Sequence, residues 1–291
     1  MEKKTNMKLS MRLLVLLSLM GLGLIVASVV SALVLLGHTN LLAVLTVQDV
    51  LAFIIPAVAA MAIFYRRPLR AMCLDRGPGW LAILVIIMFY IVSLPAMNWL
   101  VDLNEQLSLP EALSDIEQWM RAAEDEALAT TQTILDIHTV GELLACLLVV
   151  GLMAGLSEEM LFRGAMQRTM QDSRLSTHAV VWTVAIIFSA MHLQFYGFLP
   201  RMVLGVWLGY LLVWTRSLWA PIIAHTLNNS TVVVFSYLTN LGLVPEGYGD
   251  NLGLPSPGAF PWLAVVSLAV SLAIAIITHR HYQRRVKGLE D

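Results

Sequence analysis

Long apolar runs cover most of this 291-residue chain, and they constrain its fold more than any other feature. Hydrophobic residues make up 58% of the sequence and charged residues only 13%, whereas ordinary soluble domains contain about 25% charged residues. Most runs have about 18–25 residues, the length with which an α-helix crosses a hydrocarbon core. The predicted fold is therefore all-α, a polytopic membrane helical bundle that forms a single integral membrane domain over residues 1–291. About eight transmembrane helices are predicted, over 12–36, 41–65, 80–101, 138–162, 178–195, 199–215, 217–239 and 261–279.

Positive charge is distributed unevenly over the connections between these spans. Every Lys and Arg residue except Arg121 and Arg201 lies before the first span or at the end of every second one. Connections rich in Lys and Arg remain in the cytoplasm. An even number of spans with this pattern places both termini in the cytoplasm.

The segment 102–137 differs from the rest of the chain because it is rich in Asp and Glu. We predict that it is an acidic extracytoplasmic loop. Its part from Ser108 to Ile134 shows helical spacing of apolar residues. Two interpretations stay open for this helix: a solvated surface helix over the outer mouth of the bundle, or a lid that faces the substrate.

Other patterns exclude several kinds of site. Cys73 and Cys146 form no Cys-x-x-Cys pattern, so neither a disulfide framework nor a thiolate metal site is expected. There is no basic stripe with interleaved aromatic residues, and we expect no nucleic-acid partner. Gly205 and Gly209 form a Gly-x-x-x-Gly pattern that indicates close helix packing. Nothing in the sequence indicates the oligomeric state.

Polar side chains inside three of the predicted spans are the candidates for chemistry. A charged group costs about 2.5–3.5 kcal/mol at the centre of a membrane helix, so such groups are usually functional. The depth of each polar group is measured from the cytoplasmic end of its helix, and the rise per residue of an α-helix brings the groups to similar depths. The sequence therefore predicts one buried polar layer, formed by Glu158, Glu159, Arg163, His192, His225 and Asn229.

Helical spacing assigns different partners to the two adjacent glutamates. Glu159 and Arg163 are four residues apart, with the acid nearer the N-terminus, which favours an ion pair. Glu158 lies about 100° further around the helix and should face the two histidines. His225 and Asn229 are also four residues apart, so they lie on one helix face and can address the same reacting atom.

These residue types suit the hydrolysis of a peptide bond without a covalent intermediate. A carboxylate and a His can hold and deprotonate a water, while His and Asn can donate hydrogen bonds to an oxyanion. The chain contains neither a Gly-x-Ser-x-Gly elbow nor a His-Glu-x-x-His helix. Glu158, His192 and His225 could nevertheless hold a zinc ion with an open water position. Water held by a metal and water held by a carboxylate both remain open at this point.

Three motifs carry a resemblance to a known family. Glu158-Glu159-x-x-x-Arg163, Phe188-x-x-x-His192 and His225-x-x-x-Asn229 resemble the signature of the CPBP family of intramembrane proteases, which includes Rce1-like CAAX prenyl endopeptidases and bacterial Abi-type proteins. The resemblance implies a catalytic core over residues 140–240 and a buried polar cavity open to the cytoplasm. It implies that Glu158 activates water with help from His192, and that His225 and Asn229 stabilise the oxyanion. Glu159, Arg163 and Phe188 then support the site.

The expected function is that of an intramembrane endopeptidase in a bacterial cytoplasmic (inner) membrane. Its expected partners are the lipid bilayer and a membrane-associated or lipidated protein or peptide substrate. The family is described as metalloprotease in places, but we favour water activated by glutamate, with no required cofactor. Three alternatives remain: a zinc-dependent version of the same protease, a non-enzymatic membrane scaffold or immunity protein, and a transporter with a proton relay.

Overall fold

The computed structural model describes residues 3–37, 40–256 and 258–287. Its regular structure within these ranges is helical, and a single bridge between Lys3 and Tyr65 is the β-type pairing found there. The predicted all-α membrane bundle is confirmed. The helices are α1 (Leu9–Gly37), α2 (Leu41–Phe64), α3 (Pro68–Ala71), α4 (Trp80–Glu105), α5 (Ser114–Ile134), α6 (Val140–Gln171), α7 (Thr177–Ala190), α8 (Phe198–Thr215), α9 (Trp219–Asn240) and α10 (Trp262–Lys287).

Six of the eight predicted spans are long and apolar enough to cross a membrane within the described ranges: α1, α2, α4, α6, α8 and α10. The helix α9 has 22 residues but lacks the hydropathy of the other six. Its sequence includes His225, Asn228 and Asn229, whose polar side chains lower the mean hydropathy. The chain is thus an integral membrane protein, with six of the eight predicted spans present as long apolar helices.

The predicted span 178–195 differs from the structure because its helix, α7, has only 14 residues and ends at Ala190. The backbone of Leu193 has a φ angle of 54°, a left-handed conformation that an α-helix cannot continue through. The amide of His192 binds the carbonyl of Ser189 in a tightened last turn. His192 therefore lies in the turn after the helix, not inside it as the sequence predicted.

Two of the long helices are irregular. Asp49–Ile54 in α2 is π-helical, and α6 contains the π-helical stretches Leu147–Met153 and Met160–Gln167. Such wide turns are rare and often lie at functional sites. Glu158 and Glu159 belong to the short α-helical turn between the two stretches of α6.

Contacts at the ends of the helices join segments that the predicted topology places on the same side. At one end, Lys4 binds the carbonyl of Phe64 and Ser217 binds that of Arg76. The segments involved are all predicted to be cytoplasmic. At the other end, Asn240 binds the carbonyls of Leu135 and the neighbouring Ile137 in the acidic segment.

A cluster of charges at the first end ties α1 to the ends of α2 and α6. The carboxylate of Asp172 lies 3.2 Å from the Lys3 ammonium and 3.3 Å from the Arg12 guanidinium, and it accepts a 2.6 Å hydrogen bond from Tyr65. Burial alone would raise the pKa of Asp172, but the bonds from Tyr65 and Lys3 and the two cations outweigh it, so this pKa is lowered. Burial, together with Asp172, raises the pKa of Tyr65 to about 12.

We expect Asp172→Asn to lower the melting temperature in detergent at pH 7 and to have a smaller effect in acid. A carboxyl with a lowered pKa contributes stability above its unfolded pKa, and that contribution is lost as the pH falls through the folded value. Melting curves of both proteins at pH 7 and at about pH 3 measure the difference. An equal difference at the two pH values would contradict the ionic origin of this contribution.

The helix predicted between Ser108 and Ile134 is present as α5, and it packs on the turn that follows α7. The ring of Trp119 lies 5.4 Å from that of Phe195, and the Arg121 guanidinium lies 4.4 Å above the ring of Tyr196. Glu124 accepts a hydrogen bond of 3.2 Å from the amide of Tyr196. The helix therefore contacts the segment that begins with His192.

A cavity of about 1360 Å³ lies beneath α5, between α4, α8, α9 and α10. Its lining includes Leu128 and Thr131 of α5, Arg201 of α8 and Asn228 of α9. It contains none of the four candidate catalytic side chains. The predicted cavity that opens to the cytoplasm therefore stays a prediction.

Candidate active site

The site forms where α6 and α9 approach each other closely. A Cβ atom on Gly151 would lie 2.6 Å from the Ser230 hydroxyl, and one on Gly155 would lie 2.9 Å from the Thr226 hydroxyl. Glycine at these two positions lets the two helices pack backbone to backbone, as small residues do in membrane proteins. The close packing brings Glu158 and Glu159 of α6 within reach of His225 on α9.

Glu159, Arg163 and His225 form a buried chain of polar contacts. The Glu159 Oε1 atom lies 2.7 Å from Arg163 Nη1 and 2.9 Å from His225 Nδ1. The side chains of Glu159 and Arg163 are fully buried. A second guanidinium nitrogen, Arg163 Nη2, donates a 2.9 Å hydrogen bond to the carbonyl of Gly205. The predicted Glu159–Arg163 ion pair is present, and it also holds the imidazole of His225.

Glu158 faces the opposite nitrogen of the same imidazole. Its Oε2 atom lies 3.8 Å from His225 Nε2. This oxygen is buried and has no hydrogen-bond partner among the described residues. The two adjacent glutamates thus lie at different nitrogens of the His225 ring, with Glu159 at Nδ1 and Glu158 near Nε2.

The contact with Glu159 determines the orientation of the His225 ring. A carboxylate only accepts hydrogen bonds, so His225 Nδ1 carries the hydrogen in this contact. In the neutral ring, Nε2 then has a free lone pair that points toward Glu158. The remaining nitrogen and the carboxylate are close enough for one water to contact both.

Phe188 packs against the cationic and imidazole groups of the site. Its ring centroid lies 5.1 Å from that of His192 and 5.9 Å from that of His225, in both cases edge to face. The Arg163 guanidinium carbon lies 4.5 Å from the same ring. The side chain is almost fully buried, so it fixes the relative positions of these three groups.

His192 is half-buried, and the segment that follows it is held by a buried polar residue of α4. His192 Nδ1 is 2.9 Å from the carbonyl of Phe188, which makes Nδ1 the donor and leaves Nε2 available. The amide group of Asn104 donates to the carbonyl of Phe195 and accepts from the amide of Leu199. Asn104 thereby ties the segment after His192 to the end of α4.

Asn229 lies one turn beyond His225, as its spacing predicts. Its Nδ2 atom donates a 3.1 Å hydrogen bond to the carbonyl of Val150, and its Oδ1 atom accepts from Asn228 at 3.3 Å. A side-chain amide has two N–H groups. One of them is bound to α6.

The donor groups do not fit a zinc ion in this arrangement. Zinc needs three or four ligands that converge at about 2.0–2.3 Å. In the part of the chain that the structure describes, no three His, Cys, Asp or Glu side chains are grouped so that they could hold a metal. The proposed set of Glu158, His192 and His225 is therefore not assembled as a metal site.

Sequence reasoning missed two polar residues near the site. Asp49 of α2 is buried and accepts a 2.7 Å hydrogen bond from Ser157, the neighbour of Glu158. Asn104 is buried beside the segment that carries His192. An ionisable group inside an apolar span is a signal that could have identified Asp49. No pattern in the sequence singles out Asn104.

Comparisons with known proteins agree with the three motifs. Residues 140–231 match the family of type II CAAX prenyl endopeptidase Rce1-like proteins. A protein of Bacillus subtilis (strain 168), named "Uncharacterized protein YpbD", is 33% identical over 78 residues, which represent 25% of this chain and 36% of that protein. The matching part thus spans little more than a third of that curated relative. No solved structure matches the chain.

The matched segment includes the motif residues of α6, α7 and α9. Glu158, His192, His225 and Asn229 all lie within 140–231, whereas α1, α2 and α4 lie outside it. The family that the motifs predicted is therefore confirmed for this segment, and residues 140–231 of the chain are Rce1-like.

Proposed function

We propose that the chain is an intramembrane endopeptidase, which hydrolyses a peptide bond of a membrane-associated or lipidated protein with a water activated by Glu158. One observation carries the proposal. The Glu158 carboxylate faces His225 Nε2 at 3.8 Å, while Glu159 and Arg163 hold the other side of the same ring. A general base beside an oriented imidazole is the equipment that peptide hydrolysis requires.

Glu158 acts as the base in the first step. Its carboxylate takes one proton from the water while the water oxygen forms a bond to the carbonyl carbon of the substrate. The carbonyl π electrons move to the oxygen and create the oxyanion of a tetrahedral intermediate. The intermediate collapses with cleavage of the C–N bond, and protonated Glu158 returns its proton to the leaving amine.

His192, His225 and Asn229 assist at the polar atoms of this reaction. His192 Nε2 is free to accept a hydrogen bond from the water and orient it, because Nδ1 is bound to Phe188. His225 donates to the oxyanion when Nε2 carries a proton, and the bond from Nδ1 to Glu159 leaves Nε2 available for that role. The second N–H of Asn229 is the other donor. Each such donor typically contributes about 10²–10³-fold to the rate.

The location of the site and the family match support this substrate class. The site is buried in a chain with six candidate membrane spans, so a substrate has to reach it at or within the bilayer. The matched family is described as CAAX prenyl endopeptidase. A peptide anchored by a lipid near its cleavage site is therefore the first substrate to test.

The function is tested in proteoliposomes with a fluorescence-quenched peptide that carries an S-farnesyl cysteine followed by three residues. A second assay compares membrane proteins trimmed in cells that produce wild type or Glu158→Ala. We expect cleavage by wild type and by the matched surface variant Glu126→Ala, but not by Glu158→Ala or His192→Ala. Full activity of the Glu158 and His192 variants overturns the mechanism. Absence of any cleavage by wild type in both assays favours the non-enzymatic scaffold.

Chelators distinguish the glutamate mechanism from the zinc-dependent alternative. We expect wild-type cleavage to persist after treatment with EDTA or 1,10-phenanthroline, because no metal is required to hold the water. Metal analysis of the purified protein accompanies the assay. Loss of activity that returns on addition of zinc, with about one equivalent bound, would contradict this expectation.

We propose that both termini lie in the cytoplasm of a bacterium and that the protein resides in the inner membrane. Residues 1–2 and 288–291, the extreme termini, lie outside the described residues. We expect an impermeant maleimide to label Ala127→Cys in intact cells and Arg67→Cys only after the cells are opened. Both replacements are made without the native Cys73 and Cys146. The reverse labelling pattern would show the opposite orientation.

A further inference from the structure

Asp49 is a buried carboxylic acid that the proposed mechanism does not use. It lies in α2, outside the segment that matches the Rce1-like family. It is 7% exposed in an otherwise apolar span, where an ionisable residue is costly and usually has a function. Its position in the bundle suggests what that function is.

The hydroxyl of Ser157 connects Asp49 to the catalytic helix. Ser157 Oγ lies 2.7 Å from Asp49 Oδ1 and 3.1 Å from the carbonyl of Ala154. One hydroxyl has one hydrogen to donate, and a carboxylate is the stronger acceptor. The bond therefore runs from Ser157 to Asp49, across 108 positions of sequence.

The backbone around both partners is irregular. Asp49 is the first residue of the π-helical stretch in α2, and Ser157 lies in the short turn between the two π-helical stretches of α6. π-Helical turns are rare and often lie at functional sites, where a contact with a neighbouring helix is a further constraint on the direction of the side chains. A hydrogen bond from Ser157 to a neighbouring helix supplies such a constraint one residue before Glu158.

We propose that Asp49 is a positioning residue, which holds Ser157 through this hydrogen bond and thereby directs the Glu158 carboxylate toward His225. The proposal rests on the proposed function of Glu158. Asp49 contacts neither substrate nor water in this role. It acts through the turn that carries the base, and a displacement of about 1 Å at a reacting group can cost about 100-fold in rate.

Four variants of the full chain in proteoliposomes test the proposal. Asp49→Leu and Ser157→Ala remove the acceptor and the donor, and Asp49→Asn keeps an acceptor oxygen without the charge. Ser28→Ala is the matched control, because its hydroxyl binds only the carbonyl of Leu24 in its own helix.

We expect Asp49→Leu and Ser157→Ala each to lower kcat by about 10–100-fold with little change in KM. Asp49→Asn and Ser28→Ala should retain kcat within about threefold of wild type. The double variant Asp49→Leu/Ser157→Ala should be no worse than the worse single variant, because both remove one hydrogen bond. Wild-type kcat in Ser157→Ala, or additive losses in the double variant, would overturn the proposal. Ser157→Ala is a small change, so the test holds even when Asp49→Leu does not fold.

A readout without substrate separates this inference from the proposed function. Dicyclohexylcarbodiimide modifies carboxyl groups in apolar surroundings, and peptide mass spectrometry measures its rate at Glu158. We expect that rate to change severalfold in Asp49→Leu and Ser157→Ala, but not in Ser28→Ala. Unchanged labelling would overturn the positioning role. Activity of Glu158→Gln, together with altered labelling of Glu158 in Asp49→Leu and Ser157→Ala, would instead overturn the proposed function and leave the positioning of Glu158 supported.

Discussion

Glu158→Gln is expected to reduce kcat by about 10²–10⁴-fold, the usual contribution of a general base. Glutamine has nearly the same shape as glutamate but cannot accept a proton from water. The Glu158 carboxylate has no hydrogen-bond partner at Oε2 among the described residues, so its replacement breaks no strong bond. We therefore expect the melting temperature in detergent to remain within a few degrees of wild type.

The matched control for this prediction is Glu126→Gln, the same change on the exposed face of α5. Steady-state cleavage of the farnesylated peptide gives kcat and KM for both variants. A loss expressed mainly in KM would indicate that Glu158 binds substrate instead of activating water. A loss of folded protein would indicate a structural role.

Arg163→Met is expected to destabilise the protein by about 3–5 kcal/mol, because it leaves a buried carboxylate without its cation. Both Arg163 and Glu159 are fully buried, and the guanidinium also binds the Gly205 carbonyl. Arg163→Lys should recover only part of this loss, since a single ammonium cannot reproduce the planar fork that reaches both acceptors. Thermal unfolding in detergent measures the stability of all three proteins, and we expect it to decrease from wild type to Arg163→Lys to Arg163→Met.

A double variant separates the stability of the ion pair from its role in the site. Glu159→Gln/Arg163→Met removes both charges, and we expect it to regain much of the lost stability. We expect it to stay poorly active, because His225 Nδ1 has lost the carboxylate that orients the ring. Recovery of full activity with the stability would show that the ion pair serves only the fold.

Much of the fold followed from apolar periodicity and charge. A helix that crosses lipid must satisfy all its backbone hydrogen bonds internally, so a long apolar run leaves few alternatives. The main difference is at α7, where the predicted span continues to Phe195 but the helix ends at Ala190. Hydrophobicity does not report the left-handed backbone at Leu193 that ends it.

The site was partly predictable for a similar reason. Residues four apart on a helix share a face, and this rule predicted the contact between Glu159 and Arg163. The rule describes neighbours within one helix, so it could not show that Glu159 also binds His225 on α9. It also gave no indication that Asp49 lies against Ser157.

The order of residues along the chain was sufficient for the membrane environment, the helical class and the three motifs, because each depends on composition or local spacing. Packing between helices decided the rest. It placed Glu158 and Glu159 beside the imidazole of His225, put His192 in a turn, and brought Asp49 against Ser157 of α6. These contacts join residues far apart in sequence, and their geometry depends on how closely the helix backbones approach, which glycines such as Gly151 and Gly155 permit.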